Sequence, residues 1–122
     1  MLPQLPSNFH DACLRSVSPG PRAELTLELD LHEPHKPRQT VHLRFGAITN
    51  FDTVLTYCAA LAIPTLPGAY IARVDRIAYE TNEPFTSGRL IIAIELDGQP
   101  KLTIHCRKIA IRERDQQNFA QL

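Results

Sequence analysis

No tryptophan and a single methionine occur in the 122 residues, and aromatic residues make up only 7% of them. A surface built to stack nucleobases would need more rings, interleaved with cations. Charge of one sign is also missing. Thirteen Lys and Arg balance thirteen Asp and Glu, so no global field draws the chain to nucleic acid or to a membrane. No apolar run approaches the roughly 20 residues that span a bilayer. The opening MLPQLPSNF has neither a basic nor an apolar leader region, which predicts no signal peptide and a cytoplasmic protein. The three cysteines, Cys13, Cys58 and Cys106, form no C-x-x-C pair. Zinc-knuckle and thioredoxin-type chemistry are therefore unsupported, and three reduced thiols among apolar neighbours are expected. Neither a G-x-G-x-x-G, a Walker nor a G-x-S-x-G pattern is present, so no cofactor is expected.

What is present is enough apolar content, 43%, for one domain over 1–122 with a real core. Residues 1–8 read as an irregular lead-in. A short, bulged strand begins near Ala12, where Leu14 and Val17 stand three apart, and Ser18–Pro21 supplies a turn. In Ala23–Leu31, leucines at 25, 27, 29 and 31 alternate with Glu24, Thr26, Glu28 and Asp30. That period of two predicts a strand with its carboxylate face in water. After a proline-bearing loop, Val41, Leu43 and Phe45 mark the next strand.

The period then changes to three and four. Phe51, Val54, Leu55, Cys58, Leu61 and Ala62 predict one helix, roughly 51–62, with Thr49 or Asn50 as its cap and Asp52 in its first turn. Strands follow at 70–80, with a bulge between Val74 and Ile77, at 89–96, and from Lys101 onward. A two-residue turn at Asp97-Gly98 would set apolar against polar residues on every rung. A three-to-five-residue loop of the G1-bulge type instead pairs Ile94 with Leu102, Ile92 with Ile104 and Glu95 with Lys101. Beyond Cys106 the apolar parity shifts to Ile109 and Ile111, which a second bulge at Arg107–Lys108 would absorb. The tail, 115–122, is expected to fray. The sum is an α+β fold of about six mostly antiparallel strands with one helix on one face.

His10 and Asp11 are the pair that most invites a chemical role. Neighbours on a strand point to opposite faces, so the pair is read as structural, with Asp11 taking backbone N–H groups in a turn. His32, Glu33 and His35 share a loop that offers no rigid support for a metal, and no metal site is expected. His105 and Cys106 face opposite ways, against a Cys–His couple. Lys101, Arg107 and Lys108 concentrate positive charge late in the chain and are the candidate partner-binding residues.

The segments FHDACLRSV, VHLRFGAITNF and LTIHCRKIAI resemble a group of small bacterial proteins that open with a Phe-His-Asp-x-x-Leu motif. That group includes immunity proteins of polymorphic toxin systems. The resemblance covers about a quarter of the chain. It implies an α+β domain that binds another protein, a toxin for instance, with His10 and Asp11 as signature positions at the first strand. A small hydrolase or isomerase using surface histidines, and a homodimer joined through its sheet, are the alternative readings.

Overall fold

The computed structural model describes residues 9–31, 39–61, 64, 66, 68–80 and 89–114, with the side chains of 113 and 114 excepted. Alternation produces most of it. The leucines of β2 (Glu24–Leu31) and the apolar residues of β3 (Gln39–Gly46) pair antiparallel, Leu25 opposite Phe45 and Leu29 opposite Val41. β1 (Cys13–Gly20) lies on the other side of β2 and carries a bulge between Leu14 and Ser16. Helix α1 (Phe51–Ala60) follows β3. Then come β4 (Ala72–Tyr79), β5 (Leu90–Leu96), β6 (Leu102–Cys106) and β7 (Lys108–Arg114). All pairings are antiparallel, in the order β6-β5-β4-β1-β2-β3-β7.

The first and last strands of that order are adjacent in the chain, separated by Arg107 alone. The sheet therefore curls until its two ends meet in one bent strand, whose first half pairs with β5 and whose second half pairs with β3. The expected bulge at Arg107–Lys108 is instead a change of partner, and seven strands replace the expected six. Apolar side chains from every strand fill the enclosed space, with Leu25, Leu29, Leu43, Phe45, Ile92 and Ile104 at 0% exposure. Helix α1 covers this core with Val54 and with the half-buried Phe51, Tyr57 and Cys58.

The bulge in β4 falls where the sequence placed it, at a register shift between Val74 and Arg76. Ile94 opposite Leu102 and Ile92 opposite Ile104 bear out the register chosen for β5 and β6. Gln99 N–H donates to Leu96 O at 3.1 Å across the turn, and Gly98 takes φ +75°. That is the third position of a type II turn rather than the position a G1 bulge would use. Several boundaries differ from expectation, β4 among them, which starts at Ala72 rather than at 70. The helix ends at Ala60, and β1 runs through Ser18 and Pro19 to Gly20 before turning at residues 21–23. Pro19 is tolerated because β4 pairs only with Cys13 and Leu14, so this part of β1 needs no second ladder of N–H donors.

The helix start holds a further correction. Asn50 occupies the cap position, yet its side chain makes no capping hydrogen bond. Its amide turns to β6 instead. Nδ2 donates to Thr103 O at 2.7 Å, and Oδ1 accepts from His105 N–H at 2.9 Å. Thr49 N–H adds a bond to His105 O at 2.8 Å. A single side chain and its neighbour thus complete the outer edge of β6, which would otherwise invite another strand.

Candidate functional site

The Phe-His-Asp segment shows how the first strand is entered. Phe9 is buried, and Ala12 N–H donates back to Phe9 O at 3.0 Å, closing one tight turn. Asp11 adopts φ +69° within it, and its N–H donates to Val74 O at 2.9 Å. Because the chain is turned here rather than extended, His10 and Asp11 do approach one another, with Nε2 and Oδ2 3.7 Å apart. That is too long for a hydrogen bond. The His10 ring spends its other nitrogen on the chain, Nδ1–H donating to Asp75 O at 2.9 Å. This bond, and then the Asp11 carboxylate, raise the His10 pKa above its usual value. Asp11 carboxylate meets Arg73 at 3.7 Å, and Arg73 meets Asp97 at 3.3 Å. All four side chains are more than half exposed. What anchors the strand is therefore Phe9 and the backbone of Asp11, whereas Asp11 was expected to anchor it by its carboxylate.

A second polar group departs from the sequence pattern. Glu24, Glu28 and Asp30 were all expected in water, but Asp30 is fully buried. Thr40 Oγ1 donates to its Oδ1 at 2.9 Å, Tyr70 OH donates to Oδ2 at 3.2 Å, and Arg15 Nε stands 3.7 Å from Oδ2. Arg15 owes its place to the bulge in β1, and it also reaches Glu28 at 3.6 Å. Glu28 in turn meets His42 at 3.1 Å, directly across the ladder. Tyr70, Asp30, Arg15, Glu28 and His42 thus form one chain of polar contacts on the outer face of β1, β2 and β3. Each carboxylate in it is matched by donors, as a buried carboxylate requires. No local signal marked Asp30, because Tyr70 arrives from forty residues away.

The three candidate cations do not form one patch. Lys101 precedes β6 and pairs with Glu80, whereas Arg107 and Lys108 lie past its far end, roughly 20 Å along an extended chain. Lys108 lies beside Gly46, and both line a depression of about 420 Å³ with Glu24, Arg44, Ile109 and Ala110. His32, Glu33 and His35 lie outside the described residues, as do 1–8 and 115–122. Among the described residues no group of three or more His, Cys, Asp or Glu could hold a metal ion. His105 and Cys106 alternate across β6 as expected, and burial pushes the Cys106 thiol up to about 11, which leaves it unreactive.

The space beneath α1, between Tyr57, Cys58, Leu61, Leu14 and Leu102, is about 10 Å³. It barely admits one water. No helix among the described residues is long and apolar enough to cross a membrane. Set against known family models, curated proteins and solved structures, the chain matches none of them. The likeness to immunity proteins rests on its short motifs alone.

Proposed function

We propose that this chain is a non-catalytic protein-binding domain, of the kind that neutralises a toxin by occluding it. The observation that supports this most is the filling of the curled sheet. Its interior is packed with apolar side chains, and most of its polar groups lie paired on the convex outer face. Small-molecule sites are usually concave, with a few polar groups converging on one volume. A convex charged face suits a protein surface better. On this reading His10 belongs to the entry of β1, where its ring is held by a backbone carbonyl, and it performs no proton transfer.

Where a toxin domain is encoded beside its gene, co-expression of the two tests the reading. Wild-type chain should restore growth. His10→Ala and Asp11→Ala should restore it equally well, provided circular dichroism shows both folded. A folded His10→Ala protein that fails to protect would contradict the proposal and favour catalysis by the histidine.

A further inference from the structure

The charges of the sheet are mostly matched. Glu24 takes Arg44, Glu28 takes His42, Arg76 meets Glu95 and Lys101 meets Glu80. Arg107, Lys108 and Arg112 are three cations within six residues that are all exposed and have no ion pair among the described residues. They lie together, at the start of β7 and along it. The same strand is also unfinished on its inner side. Leu102, Ile104 and Cys106 of β6 are at most 4% exposed, yet Ile109 and Ile111 of β7 are only half-buried. One edge of β7 is bonded to β3, and no other described strand pairs with the opposite edge. Such an edge is a template for another strand.

We propose that β7 accepts an extended segment of a partner protein as an added strand, and that this segment is acidic on its outer face and apolar on its inner one. The inference rests on the protein-binding reading above and specifies the chemistry of the partner. Lys108 and Arg112 are four apart and share the outer face, with the exposed Ala110 between them. An added strand carries side chains on the same period of two. The segment that fits is thus acidic, apolar, any, apolar, acidic. Its acids stand opposite Lys108 and Arg112, and its apolar residues extend the core past Ile109 and Ile111. A second copy of β7 is a poorer occupant, because antiparallel pairing about Ala110 sets Lys108 against Arg112 twice. Single-stranded nucleic acid is poorer too, since no Phe, Tyr or Trp occurs between 101 and 114 to stack a base.

A fluorescent peptide with blocked ends, Gly-Ser-Glu-Val-Thr-Val-Glu-Ser-Gly, tests this by anisotropy at low and physiological ionic strength. Amide chemical shifts of the labelled protein locate the contact. The peptide should bind, shift the amides of residues 108–112, and weaken with salt. Its counterpart with both Glu replaced by Lys should bind about ten-fold more weakly or worse. A Lys108→Glu/Arg112→Glu chain, whose exposed changes leave the fold intact, should prefer the Lys peptide. N-methylation of the alternate peptide residues that face β7 should abolish binding. Equal binding of the two peptides, absence of binding by the Glu peptide, or shifts confined to other strands would each overturn the proposal. Failure here alongside a stable complex with a toxin would remove β7 as the docking edge and leave the protein-binding reading standing.

Discussion

Replacing Asn50 separates two roles that the sequence alone cannot distinguish. If Asn50 were a helix cap, alanine would cost about 1 kcal/mol, and aspartate would serve as well as asparagine. The structure assigns it instead to the edge of β6, where it gives one hydrogen bond to Thr103 O and takes one from His105 N–H. Alanine then leaves a half-buried donor and a half-buried acceptor without partners, at about 1–3 kcal/mol in all. Aspartate keeps the acceptor for His105 but cannot donate, and it sets a carboxylate against the Thr103 carbonyl. Asn50→Asp should therefore destabilise nearly as much as Asn50→Ala. For a domain of this size, 2 kcal/mol corresponds to a fall in Tm of roughly 6–10 °C. Urea denaturation followed by circular dichroism gives both differences in one assay. An Asn50→Asp protein as stable as wild type, or more so, would refute the edge assignment.

Backbone sign offers a paired test. Ala23 holds φ +52° and Gly98 holds φ +75°, so Ala23→Gly should stabilise and Gly98→Ala should destabilise, each by about 1 kcal/mol in urea titrations. With its pKa raised above 6.5, His10 should titrate above that pH by NMR. The contribution its charge makes to stability is present below 6.5 and fades as pH rises through the folded value; a midpoint at or below 6.5 would remove the Asp75 carbonyl bond. Cys106, buried and with its pKa pushed up to about 11, should resist Ellman's reagent in the native protein at pH 8 and react once urea unfolds it. Tyr70→Phe should cost about 0.5–1.5 kcal/mol by removing one of the donors to buried Asp30, and no change in denaturation midpoint would argue against that bond.

Most of what the sequence revealed was local. Four alternating leucines suffice for β2, and the clash of polar and apolar rungs rejects a two-residue turn before Gln99. The change of period at Phe51 marks α1. What escaped was set by partners distant in the chain. Nothing near Arg107 indicates that the strand leaves β5 for β3, since parity shifts alike at a bulge and at a change of sheet. Asn50 looks like any helix cap until His105 is placed beside it. Asp30 has the same alternating context as Glu28, and only Thr40, Arg15 and Tyr70 together make it a buried residue. The same limit applies to function. Lys101, Arg107 and Lys108 look clustered along the sequence, but the length of β6 divides them, and Arg112 joins the latter two only because β7 continues the bent strand.

Occlusion and catalysis differ most plainly in stoichiometry. Increasing amounts of the chain can be titrated into a fixed concentration of a toxin domain against which it protects, and the residual toxin activity read after short and long incubations. A binding protein should lower that activity linearly to zero at one chain per toxin, with the two incubations superimposing. Complete loss at a small fraction of one equivalent, deepening with time, would mean turnover and would contradict the account.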